Sequence, residues 1–243
     1  MKRIFAVLLI AFLLGGCADQ SARDPQIQPL AEGVTEPAEE RVIYLTFDDG
    51  PGKYTEQLLD VLDKYDVKAT FFVVGCGQTE LIGEAYRRGH TIGIHSACHK
   101  FRTIYQSEEA FLADVQEMSD IIYEQTGSRT TLLRFPGGSS NTVSDFNPGI
   151  MTKLARAVEE AGYRYFDWNV VSGDAGNPIP TAQVVKNVIS GVKKNRVSVV
   201  LQHDTRKFSV DAVEEILKWG LENGYTFLPL TEDSPTIHHH IKN

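Results

Sequence analysis

Residues 42–51 read Val42-Ile43-Tyr44-Leu45-Thr46-Phe47-Asp48-Asp49-Gly50-Pro51. The opening apolar run has the pattern of a buried strand. Gly50-Pro51 is a stop signal, so the two carboxylates sit where a strand gives way to a loop. Neighbouring side chains in a regular strand point to opposite faces. At the strand end that constraint relaxes, and both acids can reach one pocket. Two adjacent acids at a buried strand end are costly unless a metal ion or an arginine holds them. The bland alternative is an Asx-type turn, with Asp49 bonding the backbone around Gly50.

On the far side of this stretch the chain alternates helix and strand signals. Residues 55–65 carry an apolar stripe of Leu58, Leu59 and Leu62 and read as a helix. A Phe- and Val-rich strand follows over 68–74, then a helix over 80–88 that stops at Gly89, then a strand over 91–95. Ser107 caps a long helix with Glu108 and Glu109 in its first turn, ending at Gly127. The pattern continues with a strand at 131–134, a helix at 148–160 bounded by Pro148 and Gly162, and a strand at 164–170. It closes with helices at 181–192 and 210–222 and strands at 197–201 and 226–228. Seven strands alternating with six helices predict a parallel sheet with helices outside. An open doubly wound sheet and a barrel both fit. In either, chemistry belongs at the C-terminal ends of the strands.

The 243 residues are 42% hydrophobic and 23% charged, enough for one sizeable domain with its own core. Net charge is -8 with no Lys/Arg-rich stretch, which argues against nucleic acid as a partner. Met1-Lys2-Arg3 and the apolar run at 4–14 form a basic start and a short hydrophobic segment. A bilayer span needs about 20 residues, so a secretory signal is the better reading. Leu14-Gly15-Gly16-Cys17 resembles the lipobox of bacterial lipoproteins, in which the cysteine is lipidated. The expected organisation is a signal peptide over 1–17, a Pro- and Glu-rich flexible tether over 18–40, a domain over 41–234 and a tail over 235–243. The localisation expected is exported and lipid-anchored to the membrane. An oxidising compartment makes a disulfide between Cys76 and Cys98 an expectation. His238, His239 and His240 are read as an exposed, frayed end.

Three further strand ends carry chemistry. His95-Ser96-Ala97-Cys98-His99 has two imidazoles at a spacing that lets them converge on one ion. With one carboxylate of Asp48-Asp49 they make three ligands and leave a position for water, the catalytic arrangement. That N/O donor set suits Zn²⁺, with other first-row divalent ions possible. Arg134-Phe135-Pro136-Gly137-Gly138 offers an arginine for a carboxylate and glycines for close backbone approach. Leu201-Gln202-His203-Asp204 puts a histidine at the same rim, fit for acid-base work.

These four motifs, in this order, resemble the polysaccharide deacetylase family, also called the NodB homology domain or carbohydrate esterase family 4. The resemblance covers about Arg41 to Glu232. It implies a distorted (β/α) barrel. It implies Asp48 as general base, Asp49, His95 and His99 as metal ligands, and Arg134 as the group that positions Asp48. The backbone N–H of Gly137 would help form the oxyanion hole, and His203 would be the general acid in a pocket lined by Leu201. Asp174 matches the acid that orients that histidine. Ala175 stands where the family usually has tryptophan, and Trp168 matches a separate aromatic. The expected function is metal-dependent removal of N-acetyl groups from amino sugars of a cell-wall polysaccharide, peptidoglycan favoured, by a monomer. The alternatives are a chitooligosaccharide or poly-glucosamine deacetylase, an acetyl-xylan esterase, or an inactive glycan-binding protein.

Overall fold

The computed structural model describes residues 41–243. The expected leader, Cys17 and the tether lie outside the described residues. Strand β1 (Val42–Asp48) is buried at every position, as its apolar run requires. Its side chains alternate between two packing layers. Ile43, Leu45 and Phe47 face the large core shared with the helices, while Val42 and Tyr44 face a smaller core inside the curl of the sheet.

The other strands are β2 (Thr70–Val74), β3 (Thr91–Ser96), β4 (Leu132–Leu133), β5 (Arg164–Tyr165), β6 (Val170–Val171), β7 (Val197–His203) and β8 (Thr226–Phe227). All pair in parallel, in the order β5-β4-β3-β2-β1-β7-β6, with β8 added beside β1. One edge of β1 runs along β7 for its full length. The other is shared, with β8 at Val42 and Ile43 and β2 from Thr46 to Asp48. The helices α1 (Thr55–Lys64), α2 (Glu80–Arg87), α3 (Phe101–Ile104), α4 (Glu108–Thr126), α5 (Ile150–Glu160), α6 (Thr181–Val192) and α7 (Lys207–Glu222) surround the sheet. The result is the expected distorted (β/α) barrel, open along a seam where β5 and β6 share no ladder.

The structure corrects the sequence reading at several places. The single strand expected over 164–170 is two, so the count is eight. Between them Asn169 uses its side chain to bond Val199 N–H and the Val197 carbonyl, and the Asp167 side chain turns inward to Ser139. Polar groups with such partners leave the ladder. One-turn α3 lacked a periodic signal, and α7 starts at Lys207, three residues before the expected start at 210. Ser107 does cap α4, accepting the Ala110 N–H, and Gly127 ends it in the left-handed conformation at φ 72°.

The segment after β8 is held in place, not frayed, although His238 and His240 are exposed as expected. His238 stacks on Tyr165 with ring centroids 3.9 Å apart and bonds its carbonyl. Asn243 bonds Gly149 N–H and the Ser144 carbonyl beside the start of α5. Among the described residues no helix is long and apolar enough to cross a membrane.

A buried histidine away from the rim sets a pH limit on this fold. His90 Nδ1 accepts the Ala69 N–H at 3.2 Å, the ring stands edge-on to Phe71, and Nε2 is buried without a partner. Burial disfavours the imidazolium and the Lys68 charge adds to this, so its pKa falls from 6.5 to about 4. An unfolded chain takes that proton near pH 6.5. The contribution to stability is therefore complete above 6.5 and lost as pH falls through 4. The interval corresponds to roughly 3 kcal/mol at most. A His90→Asn chain keeps an acceptor for Ala69 and is expected to lose stability less steeply across that window. Urea midpoints at several pH values check this; parallel curves for the two proteins would assign the acid sensitivity elsewhere.

Candidate active site

Alternation along β1 decides where its acids go. Thr46 and Asp48 continue the inward set begun by Val42 and Tyr44. Both meet Arg134 at the end of β4, whose Nη1 donates to Asp48 Oδ1 at 2.9 Å and to Thr46 Oγ1 at 2.6 Å. Arg134 is 0% exposed. Its Nε and Nη2 donate to the carbonyls of Phe166 and Asp167, and its guanidinium lies 4.2 Å from the Phe72 ring centroid. A buried cation is tolerable only when paired and bonded in this way.

Asp49 escapes the alternation because its backbone is left-handed, with φ 69°. That turns its carboxylate toward the end of β3. Oδ1 lies 3.3 Å from His95 Nε2 and 3.1 Å from His99 Nε2, and one donor atom from each residue falls within 4.8 Å of the others. His95 Nδ1 donates to the Arg134 carbonyl at 2.8 Å, which commits Nε2 to the shared point. Burial opposes the charge on Asp49, but the two histidines overcome it and hold the carboxyl well below the usual range. His99 is also left-handed, at φ 50°. Two non-glycine residues in that region cost of order 1–3 kcal/mol each, and such costs cluster at functional sites. One carboxylate oxygen and two imidazole nitrogens aimed at one point fit a divalent ion such as zinc.

Asp114 holds the histidine loop in shape, and the sequence reading missed it. It accepts from Ser96 Oγ, Ala97 N–H and Cys98 N–H, and Ser96 Oγ in turn accepts the His99 N–H. Its signal was available: a carboxylate on the buried stripe of α4, between Phe111 and Met118. The expected Cys76–Cys98 bridge is not formed. Cys76 is an exposed thiol in the turn after β2, while Cys98 is half-buried, packed against the core and fixed beside Asp114.

Across the sheet, β1 and β7 register Asp48 against His203 and Thr46 against Leu201. His203 Nδ1 donates to Asp174 Oδ1 at 2.8 Å, and Asp174 Oδ2 accepts the His203 N–H. Burial disfavours the imidazolium, but Asp174 more than offsets it, and the His203 pKa rises to about 9. Its Nε2 faces the rim, 3.8 Å from Asp49 Oδ2. Gly137 is exposed with φ 80°, and among the described residues its N–H meets no acceptor. Its loop is held by Tyr105 Oη on the Pro136 carbonyl and Asn141 Nδ2 on the Gly138 carbonyl, two residues the sequence reading did not single out. Ala175 is exposed beside Asp174 and leaves that wall low. Of the expected site residues, Asp48, Asp49, His95, His99, Arg134, His203 and Asp174 form one connected cluster.

Paired acid and imidazole groups around a three-donor point, at the C-terminal ends of parallel strands, are the layout of a hydrolase. The chain belongs to the polysaccharide deacetylase family, whose model, described as "Polysaccharide deacetylase", matches residues 35–166. A peptidoglycan-N-acetylglucosamine deacetylase of Bacillus cereus is 38% identical over 204 residues, 81% of this chain and 71% of the relative. The crystal structure of the catalytic domain of peptidoglycan N-acetylglucosamine deacetylase from Eubacterium rectale superposes with a TM-score of 0.83 at 58% identity, covering 88% of this chain and 99% of that one. The polysaccharide deacetylase Bc1974 from Bacillus cereus gives a TM-score of 0.72 at 35% identity, over 82% and 96% of the two chains.

Proposed function

We propose that this chain is a zinc-dependent deacetylase that removes the N-acetyl group from N-acetylglucosamine residues of peptidoglycan and releases acetate. The observation that carries the reading is the convergence of Asp49, His95 and His99 beside two separately held proton carriers, Asp48 and His203. The substrate class is supported by the names of the relatives above, each of which describes that relative alone.

A cation held by Asp49, His95 and His99 would polarise the acetamide carbonyl and the attacking water. Asp48 takes the proton as water adds to the carbonyl carbon. Arg134 occupies its Oδ1, so the other oxygen is the one that receives the proton. The Gly137 N–H donates to the carbonyl oxygen as charge develops there; one such donor is typically worth about 3 kcal/mol. His203 delivers the proton on Nε2 to the nitrogen as the C–N bond breaks. Asp174 fixes the ring so that Nδ1 points away and Nε2 points in. Acetate and a free amine leave.

The test is incubation of the zinc-loaded chain with peptidoglycan fragments and, separately, chitooligosaccharides. Mass spectrometry should show loss of one acetyl per site on N-acetylglucosamine of the peptidoglycan fragments, absent after chelation and restored by zinc. Deacetylation of chitooligosaccharides alone would reassign the substrate. No acetate from any N-acetylated glycan, with zinc bound, would leave a glycan-binding protein.

A further inference from the structure

The seam of the barrel is filled by residues that no motif accounts for. Segment 166–169 crosses the gap between β5 and β6, and segment 237–239 lies against it. Asp167 N–H donates to the Ile237 carbonyl at 2.8 Å, and His239 N–H donates to Asp167 Oδ2 at 2.8 Å. His239 Nε2 donates to the Trp168 carbonyl at 2.7 Å, and its Nδ1 accepts from Ser140 Oγ at 3.1 Å. Asp167 is fully buried. Its remaining acceptor capacity goes to Ser139, whose N–H reaches Oδ1 at 2.8 Å and whose hydroxyl reaches Oδ2.

Ser139 is two residues from Gly137. Between them, the Trp168 ring packs on Gly138 so closely that a Cβ there would lie 2.8 Å from a ring carbon. Trp168 is itself held edge-on by the His239 ring. The same crossing segment supplies the Phe166 and Asp167 carbonyls that fix Arg134. One buried residue therefore ties three things together: its carboxylate holds His239 and the glycine loop, its N–H holds Ile237, and its carbonyl holds Arg134. A surface decoration would not need a desolvated carboxylate with all its bonds directed at the glycine loop and one adjoining segment.

We propose that segment 237–239 is a strap that, through Asp167, sets the direction of the Gly137 N–H, making Asp167 and His239 positioning residues; this rests on the deacetylase reading above. Neither residue touches the cation or the reacting atoms. The strap acts by holding the Gly137-Gly138-Ser139 backbone in the one shape that leaves the Gly137 N–H facing the rim. Its loss should be felt in the transition state more than in substrate binding, because the donor meets charge that develops only there.

The experiment uses the full chain with two variants, Asp167→Asn and a deletion of residues 237–243. Each is expected to lower kcat per zinc-loaded site about 10- to 100-fold. KM should stay within about threefold and zinc affinity should be unchanged. Hydrogen exchange of the 137–141 amides should rise at least about tenfold while β1 and β7 stay protected. A Leu217→Ala chain, weakened in the core of α7, controls for general destabilisation and should keep kcat per site. Unchanged exchange in the 137–141 loop in both variants overturns the strap, as does a loss of zinc affinity in step with kcat. Failure of the parent chain to release acetate from any glycan strikes the deacetylase reading alone, and the exchange measurement still decides the strap.

Discussion

An Asp48→Asn chain is expected to bind one zinc ion as the parent does and to release acetate about 10³-fold more slowly. The asparagine keeps the shape and still offers Oδ1 to Arg134 Nη1, so the site stays assembled. It cannot accept a proton from water. General-base assistance is typically worth about 10²–10⁴-fold, and among the described residues the neighbouring carboxylate, Asp49, is engaged by both histidines and cannot replace it. Calorimetric zinc titration beside acetate release checks both halves. Loss of zinc on this change would mean that the two neighbouring aspartates exchange roles.

The second large effect is on stability. Arg134→Met is expected to lower unfolding free energy by about 3–5 kcal/mol, the usual consequence of leaving a buried partner unpaired. Asp48 is 3% exposed and would be left buried without its charged partner. The Phe166 and Asp167 carbonyls and Thr46 Oγ1 would lose their donor as well. For a chain of this size the loss corresponds to a fall in Tm on the order of 10 °C. Adding Asp48→Leu removes the stranded carboxylate, so the double variant should regain stability while turnover stays abolished. Thermal denaturation of the three chains measures this; an Arg134→Met protein melting within about 2 °C of the parent would show that the pair contributes little.

Much of this architecture was written in the local pattern. An apolar run ending in acids and then Gly50-Pro51 marks a strand end, and the same logic marks the ends of β3, β4 and β7. That fixed which residues share a rim, because parallel strands bring their C-terminal ends together. Local pattern could not show how Asp48 and Asp49 divide. That depends on a left-handed backbone at one residue, which the loop imposes. Nor could it show the break at Asp167 and Asn169, since both residues were read as part of one strand. Their partners, Ser139 and the β7 backbone, lie about 30 residues away in sequence. The three histidines after β8 read as frayed because nothing nearby in sequence is theirs to bond. His238 and His239 find their acceptors some 70 residues earlier, at Tyr165 in β5 and Trp168 in the crossing segment. The cysteines teach the converse. The expectation of export to an oxidising compartment made a bridge reasonable, but one thiol is exposed and the other is packed against the core.

The divided strand has a consequence for how the folded molecule behaves in company. The two ends of the sheet, β5 and β6, are each two residues long, and past β5 the next free N–H, on Asp167, is already taken by Ile237. Polymerisation by strand addition needs an unpaired backbone edge long enough to template another chain. Among the described residues neither end provides one, so the connectivity of the sheet itself leaves little edge on which a fibre could grow.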